Sequence, residues 1–217
     1  MKMTQDMLAL IMCGGKGERI KDFCSDKSML KFNNRPLIEH VLISLKTSKQ
    51  FDRIYAAASR NSKVTLEFLK NHNYYHSGTL EIMETTGLNY STDLTYALEK
   101  LKPSIVLVFP SDMPLVTPDL IKRIVSKWKG DRQCISIVMD KKYTANLGLL
   151  PSFKVKQGNK EYFHSGVTIF DTSTMNTRKR IKEYYLRLND ERIAFNINTK
   201  EDFFLLENSI KRIDDFS

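Results

Sequence analysis

Apolar positions along this chain follow two habits. In one, apolar residues stand nearly side by side, as in Met7 to Cys13, Ser104 to Phe109 and Gln133 to Met139. Such runs read as strands buried on both faces. Arg53 to Ser59 and Leu80 to Met83 are shorter runs of the same kind. In the other habit, apolar residues recur at helical spacing. Leu37, Ile38, Val41, Leu42 and Leu45 follow a turn at Asn33 and Asn34, with Pro36 suited to a first helical position. Val64, Leu66, Phe68 and Leu69 supply a helix over 62–71. Asn89 or Ser91 caps a helix running to Leu101, and Thr117 with Pro118 opens another.

Strand and helix therefore alternate through Met139. That order predicts an α/β fold: a Rossmann-like, doubly wound, mostly parallel sheet with helices on both faces. Sheets of this kind hold ligands beyond the carboxyl ends of their strands. From 140 to 166 the periodicity breaks around Gly148, Pro151 and Gly158. This stretch reads as a variable excursion covering a binding site or as a disordered surface loop. Beyond it the pattern predicts a strand over Val167 to Phe170, a helix over Thr174 to Leu188 and a last strand over Ile193 to Ile197. Thr199, with Asp202 three residues on, then caps a closing helix through Ile213. The 217 residues suffice for one sizeable core and are expected to form one domain, 1–217.

Composition narrows the picture. No apolar run approaches the roughly 18 to 20 residues of a membrane span, and the short run after Met1 is unlike a secretory signal, so a cytoplasmic protein is expected. Cys13, Cys24 and Cys134 show neither an even count nor metal-ligand spacing. The net charge of +9 is spread through nearly every segment, without a basic block carrying interleaved aromatics. That favours a polyanionic small ligand or simple solubility over nucleic acid.

The candidate chemistry lies at two strand ends. After the first strand come Gly14, Gly15, Lys16, Gly17 and Arg19, with Lys27 eight residues on. A glycine-rich cationic turn leaves backbone N–H groups open to phosphate oxygens, although glycines after a strand also make plain tight turns. The spacing fits neither a P-loop nor a dinucleotide fingerprint. Asp112 follows the strand that Pro110 stops. An isolated carboxylate there suits Mg2+, which takes one or two protein oxygens and completes its shell with phosphate and water; it also suits an ordinary turn. Together the two positions suggest a nucleoside triphosphate with a divalent metal.

GGKGER with Lys27, NNRPLIEHV, FPSDMP and FNINTKEDF, in that order, resemble the MobA-like NTP-transferase family, which has a nucleotide-diphospho-sugar transferase type of fold. Within it ALIMCGGKGER, ETTGLNYSTDL and FNINTKEDF are similar to stretches of the archaeal-type adenosylcobinamide-phosphate guanylyltransferases. The resemblance implies transfer of GMP from GTP to a corrinoid phosphate in cobalamin biosynthesis, with release of pyrophosphate and with Mg2+ as cofactor. Guanylyl transfer to molybdopterin, nucleotidyl transfer to a sugar phosphate and nucleotide-binding regulation without turnover are the rival readings. The resemblance further implies that Gly14, Gly15, Lys16, Gly17 and Arg19 cradle the triphosphate and that Lys27 neutralises charge between α-phosphate and pyrophosphate. By the same resemblance Asp112 holds Mg2+ with Asn198 or Asn196 nearby, and Thr85, Thr86 and Gly87 meet base and ribose. A homodimer is compatible with it. Cys13 and Asn34 depart from the family's usual Ala and Gly; Asn34 can replace glycine because Asn tolerates the left-handed conformation. His40, His72, His76 and His164 match no metal or catalytic spacing. His164, beside Ser165 and Gly166, either touches the second substrate or is a surface histidine.

Overall fold

The computed structural model describes residues 7–14, 24, 26–150, 153–175 and 181–214. The elements follow in chain order. Strand β1 (Met7–Met12) leads, through a 3-10 turn at Lys27–Met29, to the two-residue strands β2 (Lys31–Phe32) and β3 (Arg35–Pro36). Helix α1 (Leu37–Ser48), strand β4 (Ile54–Ser59), helices α2 (Lys63–Lys70) and α3 (Asn73–His76), and strand β5 (Leu80–Thr85) come next. Helix α4 (Tyr90–Lys100), strand β6 (Ile105–Pro110), helix α5 (Pro118–Val125) and strand β7 (Cys134–Asp140) continue the alternation. Then come α6 (Lys141–Asn146), β8 (Lys154–Gln157), β9 (Lys160–Asp171), β10 (Glu183–Arg187), α7 (Glu191–Ala194) and α8 (Lys200–Asp214).

The main sheet runs β10-β7-β9-β6-β1-β4-β5, with β8 paired to β9. All neighbours are parallel except at β9, which runs against β6, β7 and β8. The mostly parallel α/β sheet expected from the alternation is therefore present. From β1 the chain winds through β4 to β5, then returns to β6 on the other side of β1. Reversal of this kind opens a crevice at the carboxyl ends of the two central strands.

The period of two in each strand divides the core. Ala9, Ile11, Cys13, Leu107 and Phe109 face one side, where α1, α2, α5 and α8 cover them. Leu8, Leu10, Met12, Val106 and Val108 face the other. On that second side α4, through Ala97 and Leu98, is the one helix packed on the sheet among the described residues. Among the described residues no helix packs on that face over β7, β9 and β10.

Several expectations need correction. The described residues of 140–166 are ordered into regular elements rather than a disordered surface loop. They hold α6 and the β8–β9 hairpin, and β9 begins at Lys160 rather than Val167. The helix expected over Thr174 to Leu188 does not extend through its second half, where β10 stands at Glu183–Arg187; residues 176–180 lie outside the described residues. Ile181, Tyr184, Tyr185 and Leu188 have helical spacing, but aromatic residues also suit a half-buried strand, and parallel pairing with β7 decides the outcome. The strand expected over Ile193 to Ile197 is the end of the short helix α7 followed by a tight turn in which Asn196 N–H donates to the Ala194 carbonyl at 2.9 Å. The stretch is strongly apolar because Ile193, Ala194, Phe195 and Ile197 are all buried. Pro36 precedes α1 as its N-cap rather than opening it. Among the described residues no helix is long and apolar enough to cross a membrane.

Asn33 and Asn34 both adopt positive φ, 47° and 60°, between β2 and β3. Such a pair is what a two-residue hairpin turn requires. Asn34→Val should lower stability by roughly 1–2 kcal/mol, because a branched residue resists the left-handed region. Asn34→Gly should leave stability within about half a kcal/mol of wild type. Urea unfolding midpoints of the two variants check this.

Candidate active site

The carboxyl end of β6 carries Ser111 and Asp112. The ladder between β1 and β6 extends one step further, with Ser111 N–H donating to the Met12 carbonyl at 3.2 Å. Asp112, only 3% exposed, therefore sits beside the first glycine of the turn that follows β1. From the far end of the chain, Ile197 N–H donates to the Asp112 carbonyl at 3.0 Å, docking the FNINT segment against the same strand end.

Lys27 completes this junction. Its ammonium pairs with Asp112 Oδ2 and donates to Asn198 Oδ1 at 3.2 Å. Both neighbours of Lys27 in sequence are anchored. Asp26 accepts from Thr65 N–H at 3.1 Å and from Thr65 Oγ1 at 2.7 Å, at the start of α2. Ser28 Oγ lies 2.7 Å from Ser111 Oγ. The lysine is thus held from both sides over the carboxylate.

Asn198 is held as well. Its amide nitrogen donates to the Asn196 carbonyl and to Asn196 Oδ1, each at 3.1 Å, and Asn196 Nδ2 donates to the Ser165 carbonyl at 3.2 Å. Asp202 Oδ2 accepts from the backbone N–H groups of Asn198 and Thr199, both at 2.9 Å, and Asp202 N–H returns a bond to Thr199 Oγ1. This reciprocal capping was legible in the Thr199–Asp202 spacing.

Asp112 Oδ1 is buried without a hydrogen-bond partner. An anionic oxygen so placed calls for a cation or a donor. Among the described residues no group of three His, Cys, Asp or Glu could make an all-protein metal cage. One carboxylate with an amide oxygen beside it suits Mg2+, which keeps water and phosphate in its shell.

The structure brings Lys27, Asp112 and Asn198 together, three residues that are widely separated in sequence. Gly14 stands at the neighbouring strand end, where an added Cβ would come within 3.1 Å of Ser59 Cβ and 3.5 Å of Asp93 Oδ2. Gly15, Lys16, Gly17 and Arg19 lie outside the described residues. Thr85 ends β5 with its hydroxyl buried and unpartnered. Thr86 Oγ1 donates to Asp93 Oδ1 at 3.1 Å, and Gly87 N–H donates to the same carboxylate at 3.2 Å. Gly87 has φ +70° and packs on Ser59 and Asn61, so a side chain there would be both strained and obstructed.

Asp93 was missed in the sequence, as were Asp26, Ser28 and Thr65. Each acts by a contact between elements, which spacing does not reveal. The one signal was the place of Asp93 in the first turn of α4, where a carboxylate is favoured.

His164 is not a surface residue; its side chain is 16% exposed. Its Nδ1 accepts from Gly166 N–H at 2.8 Å, which places the ring hydrogen on Nε2, 3.7 Å from Glu183 Oε1. Ser136 Oγ donates to Glu183 Oε1, and the Tyr185 hydroxyl donates to Oε2 at 3.0 Å. The neighbouring His164 ring, with the Ser136 and Tyr185 hydroxyls, holds the Glu183 carboxyl down at about 2 against the opposing effect of burial.

An ammonium, a buried carboxylate and an amide that converge at a topological switch point of an α/β sheet are the makings of a phosphate-handling enzyme site. Residues 9–157 match the model of the MobA-like NTP transferase domain, and the chain belongs to that family of nucleotidyltransferases. It is 29% identical over 92% of its length to a probable molybdenum cofactor guanylyltransferase of Natranaerobius thermophilus, covering 94% of that protein. It is 29% identical over 95% of its length to the adenosylcobinamide-phosphate guanylyltransferase of Methanocaldococcus jannaschii, covering 98% of that protein. The structure of a 4-diphosphocytidyl-2C-methyl-D-erythritol synthase from Anaerococcus prevotii superposes with a TM-score of 0.64 at 13% identity, over 95% of this chain and 99% of that one. That likeness extends the fold match to both halves of the sheet.

A carboxyl whose pKa is lower in the folded state adds stability above its unfolded value and loses that contribution as pH falls through the folded one. For Glu183 the window runs from the ordinary 4.5 down to about 2. Wild type should lose more stability than Glu183→Gln across that window, as measured by urea midpoints on buffers spanning it.

Proposed function

We propose that this protein transfers GMP from GTP to adenosylcobinamide-phosphate. An oxygen of the acceptor phosphate forms a new bond to the α-phosphorus of GTP, the bond from that phosphorus to the bridging oxygen breaks, and pyrophosphate leaves with that oxygen. The observation that carries the reading is the ammonium of Lys27, set between Asp112 and Asn198 at the β6 end. Such a transfer needs no protein nucleophile, since the attacking phosphate is already an anion; it needs positioning and charge stabilisation.

In this reading Gly14, Gly15, Lys16, Gly17 and Arg19 cradle the triphosphate. Thr85, Thr86 and Gly87 meet base and ribose, and Asp93 keeps their loop in place. Asp112 and Asn198 are the residues that would hold Mg2+, which when bound neutralises phosphate charge. Without ligands Lys27 compensates the Asp112 charge. With GTP in place the same ammonium turns to the oxygens between α- and β-phosphate, where charge develops. Lys27 therefore supplies a cation to the carboxylate in one state and to the leaving group in the other. The single domain proposed for 1–217 gives the nucleotide the β6, β1, β4 and β5 edge. The segment 140–166 borders the acceptor.

The relatives' names support guanylyl transfer and divide between two acceptors, a corrinoid phosphate and the molybdenum cofactor. Transfer to molybdopterin is accordingly the second reading.

Asp112→Asn and Lys27→Ala should each lower turnover on the order of 100-fold or more, in the range seen when one group stabilising developing charge is removed. GTP affinity should fall by less than about tenfold. Equal losses in both would refute the assigned roles. Pyrophosphate release with Mg2+, each NTP in turn, and adenosylcobinamide-phosphate or molybdopterin identifies base and acceptor. Lys27→Ala should also bind Mn2+ more tightly than wild type in the absence of nucleotide, as read by electron paramagnetic resonance, because Asp112 then lacks its internal cation.

A further inference from the structure

A cleft of about 650 Å³ opens beside Asn196 and Asn198, over β7, β9 and β10. Its floor is the sheet face beside α4, where Cys134, Ser136, Thr168 and Phe170 line the cleft as buried side chains. Leu94 and Leu98 of α4 form one wall, and Met175 and Ile181 lie opposite within the same lining. At the rim stand three large apolar side chains, Leu150 at 89%, Phe153 at 67% and Tyr90 at 49% exposure. Apolar groups gathered around a concave mouth mark a surface that a ligand covers.

The polar groups of this cleft are few and organised. Among its described lining residues there is no Lys or Arg, while Glu183 is present. Ser136 Oγ bridges from Glu183 toward Thr168 Oγ1, at 3.2 Å. His164 is fixed by Gly166 and edges onto Phe153, ring centroids 6.0 Å apart. An ionised carboxylate offers about four acceptor sites. His164, Ser136 and Tyr185 approach three of them, and the Glu183 side chain is 38% exposed to the cleft and solvent. Holding the sheet together does not require this arrangement, because β10 already pairs with β7 along its whole length.

We propose that Glu183, oriented by His164 and Ser136, is the specificity-determining residue for the acceptor. It takes a hydrogen bond from an N–H group on an acceptor whose body is apolar and too large for the cleft to enclose. The inference rests on the nucleotidyl-transfer reading and names the acceptor's class: a bulky amphipathic phosphate ester bearing amide or amino groups. A hydroxyl-rich sugar phosphate is disfavoured, since hydroxyls set against Leu94, Phe170 and Met175 would lose water there.

The test measures steady-state GMP transfer to adenosylcobinamide-phosphate, molybdopterin and mannose 1-phosphate by wild type, Glu183→Gln and Phe153→Ser. Glu183→Gln should raise KM for the acceptor about tenfold, the equivalent of one lost hydrogen bond to a charged group, with KM for GTP unchanged. Phe153 is exposed, so Phe153→Ser does not put folding at risk; it should raise acceptor KM several-fold. Transfer to molybdopterin with these shifts overturns the corrinoid assignment and supports the role of Glu183. Transfer to the corrinoid with acceptor KM unchanged in both variants leaves the function standing and overturns this inference. Preference for mannose 1-phosphate, or turnover of none of the three, overturns both.

Discussion

A carboxylate buried at a strand end is the constraint around which this molecule is arranged. Asp112 is almost wholly out of water, and a charge so placed is costly unless it is paired and hydrogen-bonded. Its compensation draws in segments that begin far apart. The 3-10 turn after β1 brings the ammonium, the chain before α8 brings the amide oxygen, and the Asp112 carbonyl receives the backbone of Ile197. The anchoring of Asp26 to α2 and of Ser28 to Ser111 then serves one purpose, to keep the ammonium from drifting into solvent. Electrostatic necessity at one point thereby fixes the entry of the first loop and the docking of the last helix.

Much of this was readable beforehand, for a physical reason. Strands β1, β6 and β7 are buried on both faces and so are written as unbroken apolar runs, while α1 and α2 carry their stripe at helical spacing. Asn33 and Asn34 announced a turn through their tolerance of positive φ. Legibility fails where tertiary pairing outweighs local pattern. Ile181 to Leu188 has the spacing of a helix but holds the edge strand β10, and Ile193 to Ile197 is apolar enough for a strand but begins in the end of α7 and continues without regular structure. Lys27, Asp112 and Asn198 were singled out through motifs, and the fold unites them. Asp26, Thr65 and Asp93 belong to no motif visible in one sequence, because each is defined by the element it reaches.

The two halves of the sheet differ in kind. Around the ends of β4 and β5 the chain is closely packed: Ser59 leaves no room for a side chain at Gly87, and one at Gly14 would press on the same residue. Over β7, β9 and β10 the surface is broad and mostly apolar. The bulge that opens β9 between its pairings with Ser136 and Val138 lies between these regions. There Gly166, at φ +91°, passes close to Pro110 and Asn196. Bulges re-aim side chains and recur beside functional sites; this one turns the Ser165 carbonyl toward Asn196 while His164 faces Glu183.

The cleft over β7, β9 and β10, where no helix packs among the described residues, also has a consequence for how such proteins diversify. Side chains on a covered face are locked by close packing, so exchanging one disturbs its neighbours. Those lining a cleft have ligand-sized space on one side, and Glu183, exposed there, can be replaced with little repacking of the core while the charge junction at Asp112 stays as it is. Variation at such a position leaves the closely packed half of the molecule undisturbed.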